Sequence, residues 1–215
     1  MQTHYVHRGL IKRQLAENTI GSFKKSIKKG YGVETDLHIT KDKQIVCFHD
    51  FSLKRKFKIN KQIKKVDYDF LVKLSKRYRT RVPLLEDLLK ISRNKYPLLL
   101  EIKPTFSKES LKILLKLLKK TKKYGIISFR EKNLTNLYKI NSKLPLGLLF
   151  NKTANLKTIK FKAKKKYVKF LVLDKIFLAN KKLHTLGKKN YFYTIKSKNL
   201  FKKYNKFKNL IFERK

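Results

Sequence analysis

Short apolar runs recur along this chain, separated by longer stretches in which apolar residues return at helical spacing. Residues 5–8, 32–36, 98–103, 125–129, 146–149, 170–173, 191–194 and 209–212 read as strands, because each is brief, rich in Val, Ile, Leu, Tyr or Phe, and bounded by polar residues. Between them, residues 107–123 give the clearest helix. Ser107 is placed to cap it, Glu109 lies in its first turn, Leu111, Leu114, Leu115 and Leu118 share one face, and lysines close it. Strand and helix alternate eight times, which predicts an α/β fold, a (β/α)8 TIM-type barrel, with a doubly wound parallel sheet as the alternative. The length of 215 residues falls near the short end of the barrel's usual range of roughly 200 to 400. No internal repeat or Gly/Ser linker divides the chain, so residues 1–215 are expected to form one domain.

One stretch breaks the alternation. VETDLHITKDKQIVCFHD contains two extended segments, 34–40 and 44–49, joined by Lys41-Asp42-Lys43, the spacing of a β-hairpin. A hairpin arm after strand two would rise above the barrel mouth and return His49 and Asp50 to it. Simple pairing across a three-residue loop sets His49 opposite Thr35, on the face away from Glu34 and Asp36. A bulge or bend at the base of the arm is therefore required to bring His49 to the site.

Composition changes the picture less than its numbers suggest. There are 57 Lys and Arg against 14 Asp and Glu, a formal charge of +43. Such a surplus points to nucleic acid, an anionic membrane surface or a polyanionic substrate. However, lysine is spread along the whole chain, together with abundant Asn, Ile, Tyr and Phe, as a coding sequence biased toward A and T produces. KKTKK and KAKKK are the densest basic blocks, and each reads as a solvated helix end or loop. No stacking platform or base-reading module is evident, so nucleic acid is not the expected partner; peripheral contact with an anionic membrane is compatible with the amphipathic helices. No run approaches the ~18 apolar residues of a membrane span, and the N-terminal residues lack a secretory apolar segment. The lone Cys47 fits a reducing compartment, so the expected location is cytoplasmic.

Acidic residues are scarce, which makes their placement informative. Glu34 and Asp36 lie two apart on strand two and so point to the same side, as do Glu101 and Lys103 on strand three. His7 and Arg8 end strand one. The carboxyl ends of barrel strands are where catalytic residues gather. Three carboxylates in one mouth repel one another unless a cation sits among them, and an all-oxygen set suits Mg2+ or Ca2+ better than Zn2+. The alternative is a cluster of ion pairs with Arg8 and Lys103. His7 and His49 are the candidates for proton transfer near neutral pH. A metal, two cationic side chains and two imidazoles suit phosphoester chemistry, with Arg8 and Lys103 neutralising phosphate oxygens. His38, out on the hairpin, has no assigned role, and Cys47 is expected to pack within the arm.

These residues resemble the glycerophosphodiester phosphodiesterase family. Its opening motif appears as His7-Arg8-Gly9 with Ala16-Glu17-Asn18-Thr19. Its acidic and hairpin motif appears as Glu34-Thr35-Asp36, Thr40-Lys41-Asp42-Lys43 and Val46-Cys47-Phe48-His49-Asp50. Further matches are Pro83-Leu84-Leu85-Glu86-Asp87, Glu101-Ile102-Lys103 and Ser128-Phe129. The resemblance implies hydrolysis of a small-molecule glycerophosphodiester to glycerol 3-phosphate and an alcohol, using one divalent cation, Mg2+ or Ca2+. It implies His7 and His49 as general acid and base, Glu34, Asp36 and Glu101 as metal ligands, and Arg8 and Lys103 as phosphate contacts. Glu17-Asn18-Thr19 is expected to shape and cap the first helix, with Asn18 a favoured cap. A related reading within the superfamily is a lysophospholipase D acting at membranes; a reading from another class is a non-catalytic basic binding module. The sequence departs from the family in four places. Ala16 replaces Pro. Lys43 replaces a turn Gly where positive φ is expected, at about 1 kcal/mol. Tyr193-Thr194 replaces Trp-Thr, so Tyr193 becomes the candidate substrate wall. Finally, the last strand ends in Phe212-Glu213 rather than Thr-Asp.

Overall fold

The computed structural model of the chain describes residues 3–11 and 16–213. In chain order the elements are β1 (Tyr5–His7), α1 (Ile20–Lys28), β2 (Gly32–Ile39), β3 (Ile45–Cys47), α2 (Lys54–Phe57), α3 (Tyr68–Arg77), α4 (Leu85–Ser92) and β4 (Leu98–Ile102). They continue with α5 (Lys108–Leu118), β5 (Tyr124–Ser128), α6 (Glu131–Ile140), β6 (Leu146–Phe150), α7 (Leu156–Ala163), β7 (Phe170–Asp174), β8 (Lys189–Ile195), α8 (Lys198–Tyr204) and β9 (Asn209–Phe212). The sheet runs β1-β9-β8-β7-β6-β5-β4-β2-β3, and a further pairing of β1 with β2 closes it. Eight strands are parallel and form the barrel; β3 alone is antiparallel, against the far end of β2. The expected (β/α)8 barrel with a hairpin arm is the observed fold.

Barrel strands are covered on both faces, which explains unbroken runs such as Leu98-Leu99-Leu100. Leu99 points inward to Tyr5, Ile127, Leu149, Phe170, Val172, Tyr191 and Ile211, which fill the barrel. Leu98 and Leu100 point outward, into the layer that also holds Leu111, Leu114 and Leu118 of α5 and Leu134 and Leu137 of α6. The inner filling depends on small residues next to large ones. Gly147 lies opposite Phe170, and a Cβ there would come within 2.2 Å of the Phe170 ring.

Under the arm sits a separate apolar cluster of Val46, Phe48, Leu53, Phe57, Ile63, Val66, Leu71, Leu74 and Val82. Residues 48–82, with Val46, thus carry their own packing beside the barrel, whereas Ile45 and Cys47, on the other face of β3, pack into the barrel's outer layer, so that Cys47 does not pack within the arm's own cluster as expected. The turn at Lys43 adopts the left-handed backbone expected of it, φ 64°.

Two further sequence expectations change. Helix α5 is capped by Ser107 as expected but ends at Leu118, before the run Lys119–Lys123. That run offers no apolar side chain to bury, and the chain turns there, with Thr121 N donating to Leu118 O at 2.8 Å. The cap of α1 is Thr19 rather than Asn18, in a reciprocal pair with Ser22. Among the described residues no helix is long and apolar enough to cross a membrane.

Candidate active site

The carboxyl ends of β1, β2 and β4 meet at one rim of the barrel. Pairing sets His7 beside Glu34 and Asp36 beside Glu101. Inward alternation then carries Glu34, Asp36 and Glu101 to one point, where a carboxylate oxygen of each lies within 4.8 Å of the others. All three are buried. Arg8 Nε stands 3.1 Å from Asp36 Oδ2, and Lys103 Nζ stands 2.9 Å from Glu101 Oε1 and 3.4 Å from Asp36 Oδ1.

The electrostatics follow from three acids sharing two cations. Burial, followed by the charges of Asp36 and Glu101, pushes the Glu34 carboxyl well above the usual range. Burial and the Asp36 charge likewise push Glu101 up, to about 7. Burial would raise Asp36 too, but Arg8 and Lys103 overcome it and hold that carboxyl low. Asp36 Oδ1 is buried without accepting a hydrogen bond. A buried, hydrogen-bond-starved oxygen among three carboxylates fits a hard divalent cation, and the all-oxygen donor set agrees. The ion pairs with Arg8 and Lys103 that the alternative sequence reading required are also present.

His49 reaches this rim because the arm bends. β3 stops at Cys47, and the register Leu37↔Cys47 extrapolates to His49 opposite Thr35, the wrong face. Phe48 N still donates to Asp36 O at 2.9 Å, and the chain then bends at His49, which joins the cavity wall. His49 Nδ1 pairs with Asp50 Oδ1 at 2.7 Å, and Asp50 is held in turn by Arg55 Nε at 2.5 Å. Burial lowers the His49 pKa below that of a free imidazole.

A cavity of about 190 Å³ lies over the rim, lined by His7, Arg8, Glu34, His49, Glu101 and Lys103 on its polar side. Ile127, Leu149 and Ile211 form its floor, and Phe129 and Tyr193 its apolar wall. The two rings meet edge to face, 6.2 Å between centroids, and Tyr193 Oη donates to Phe150 O at 3.1 Å. Every residue nominated from the sequence therefore borders or underlies this one cavity.

Sequence reasoning missed four contributors. His38, read as lying out on the hairpin, is buried, and its Nε2 lies 3.2 Å from His49 O, where a protonated nitrogen donates. Burial holds its pKa down near 4. Glu17, read as a helix-shaping residue, binds Arg8 Nη1 at 3.0 Å and pairs with Arg55, joining the β1 loop to the arm. Asn18, read as a cap, donates to Asp36 Oδ2 at 3.0 Å while accepting from Thr35 Oγ1. Glu213, one residue past β9, places Oε1 2.8 Å from His7 Nδ1. Its signal was present in the sequence: a rare acid at the end of the last strand, two positions after inward-facing Ile211.

The backbone between His7 and α1 is equally constrained. Gly9 has φ +80°, and a Cβ there would lie 2.5 Å from Ser22 Oγ, so the His-Arg-Gly turn needs its glycine.

Known proteins resemble the chain in sequence and in fold. The chain is 33% identical over 117 residues to a lysophospholipase D of Homo sapiens, a match covering 48% of this chain and 37% of that protein. The match thus spans less than half of that relative's length. Two solved structures superimpose across nearly the whole chain. One is a phosphodiesterase of Oleispira antarctica in complex with the product sn-glycerol-3-phosphate, with TM-score 0.81, 21% identity, and coverage of 98% of this chain and 92% of that one. The other is a glycerophosphodiester phosphodiesterase of Thermotoga maritima, with TM-score 0.83, 20% identity, and coverage of 99% and 95%. At these identities the structures speak for the fold. The family profile described as "Glycerophosphoryl diester phosphodiesterase family" matches residues 7–209. With that match over almost all of its length and the motif residues gathered at one rim of the barrel, the chain belongs to the glycerophosphoryl diester phosphodiesterase family.

Proposed function

We propose that this protein hydrolyses glycerophosphodiesters to glycerol 3-phosphate and an alcohol. The observation that carries the reading is the convergence of His7, His49, Glu34, Glu101 and Lys103 on one cavity, with Asp36 beneath it. Glu34, Asp36 and Glu101 would hold one divalent cation, Mg2+ or Ca2+, whose charge when bound polarises phosphate oxygens. Arg8 and Lys103 supply fixed positive charge to the same oxygens. One imidazole takes a proton from the attacking oxygen, of water or of the neighbouring glycerol hydroxyl, as its P–O bond forms; the other gives a proton to the departing alcohol oxygen as its P–O bond breaks, and where the glycerol hydroxyl attacks, water then opens the cyclic phosphate with the two roles exchanged. Phe129 and Tyr193 would pack against the glycerol carbons. The relative solved with sn-glycerol-3-phosphate supports this substrate class.

A lysophospholipid head group is the second reading, favoured by the human relative's name and by the exposed Phe129 and Phe51. The cavity is smaller than the roughly 300 Å³ at which drug-sized sites begin, so an acyl chain would have to lie outside it. Contact of the lysine-rich surface with an anionic membrane, and a cytoplasmic setting, belong to the same proposal.

The test is release of glycerol 3-phosphate from glycerophosphocholine, glycerophosphoethanolamine and lysophosphatidylcholine, with and without chelator. Glu101→Ala should lose both cation binding, read by calorimetry, and turnover. His49→Ala should keep the cation and lose turnover by about 10²-fold or more. Near-native turnover by His49→Ala would remove the acid-base assignment.

A further inference from the structure

We propose that Glu213 is a positioning residue for His7, fixing the imidazole in the tautomer that presents Nε2 to the cavity. The inference rests on the diesterase reading of the site and gives a role to a side chain at the end of the last strand, where this chain departs from the family pattern.

The placement follows from barrel closure. β9 pairs in parallel with β1 through Tyr5↔Ile211 and Val6↔Phe212, so the next step of the register brings Glu213 alongside His7. The Glu213 backbone is fixed on its other side, its N–H donating to Ile195 O at 2.9 Å. Its two carboxylate oxygens are divided between partners. Oε1 lies 2.8 Å from His7 Nδ1, and Oε2 lies 3.3 Å from Lys196 Nζ. A carboxyl group flanked by the Lys196 ammonium is ionised near neutral pH and can only accept. His7 Nδ1 must therefore carry the proton. In neutral imidazole that leaves Nε2 with the lone pair, and Nε2 faces Glu34 Oε2 at 3.9 Å on the cavity side. A ring held by one nitrogen to the β9 seam cannot swing or exchange tautomers without breaking that bond. The other imidazole is held in the same way, His49 Nδ1 to Asp50, although Asp50 is shared with Arg55. The two histidines are thus anchored by different elements, one by the last strand and one by the arm.

The test compares Glu213→Gln and Glu213→Asp with the native protein. Gln can donate or accept toward Nδ1, so it keeps the contact without dictating the tautomer; Asp keeps the charge on a shorter stem. For glycerophosphocholine with Mg2+, Glu213→Gln should lower kcat by about 10²-fold or more, as expected when a histidine's orienting carboxylate becomes an amide, with KM within about threefold. Glu213→Asp should recover most of the loss. In parallel, nitrogen NMR of 15N-histidine protein should show His7 as the Nδ1–H tautomer in the native protein and as a mixture in Glu213→Gln. Native-like kcat in folded Glu213→Gln, a change confined to KM, or an unaltered His7 tautomer would overturn the proposal. If the native protein hydrolyses no diester, the function reading fails instead; the tautomer measurement still decides whether Glu213 orients His7.

Discussion

Single side chains at this site are constrained by what burial does to charge. Lys56 illustrates this away from the carboxylates. It packs over the Phe48 ring and reaches Glu17 O at 3.4 Å, and burial lowers its pKa to about 8. A folded-state pKa below that of the unfolded chain means the unfolded chain binds more protons between pH about 8 and about 10.5, so stability rises with pH across that window. Below it, the burial penalty acts in full. Lys56→Met should therefore raise the thermal midpoint at pH 7, by about 2–4 °C for each kcal/mol relieved, and the advantage should shrink by pH 10. Paired melting curves of variant and native protein at both pH values check this.

At the scale of elements, the barrel is held by complementary sizes on neighbouring strands. Gly147 of β6 and Phe170 of β7 form one such pair. Because strand backbones are fixed on both sides, a methyl group at position 147 cannot be relieved by a small shift. Gly147→Ala should destabilise by about 1–3 kcal/mol, the usual range for overpacking. Adding Phe170→Leu should return part of the loss, and a double-mutant cycle from urea midpoints measures that coupling. The register shared by β1, β2 and β4 has a functional consequence too, since Asp36↔Glu101 and His7↔Glu34 are set by strand pairing alone.

In the whole molecule, the barrel supplies the acids and His7, whereas the arm supplies His49. The arm's apolar cluster is separate from the barrel's, and Arg55 ties it to the β1 loop through Glu17. Phe57, fully buried in that cluster, is the side chain whose removal loosens the arm most directly. Phe57→Ala should lose about 3–5 kcal/mol from the unit that contains it. At 20 °C, where the circular dichroism of the barrel is retained, glycerol 3-phosphate release should fall at least about tenfold. Leu134→Ala, in the outer barrel layer, should lower the melting temperature with little change in kcat at 20 °C. Equal effects of the two variants on turnover would show that arm and barrel respond as one unit.

The sequence by itself determined the eight strands, the hairpin arm and the polar residues bordering the cavity, while the left-handed turn at Lys43 was legible only through the family resemblance. Strands, arm and polar rim are local properties: alternation, turn spacing, or spacing in steps of two. Tertiary structure decided what depends on residues distant in the chain. The bend that turns His49 toward the mouth is set where β3 runs out of pairing. Burial of His38, the sharing of Glu17 between Arg8 and Arg55, and the meeting of Glu213 with His7 arise only when the sheet closes and the arm folds over it. No local pattern encodes those contacts, because hydrogen bonding and desolvation act through space, and a barrel brings its first and last strands side by side.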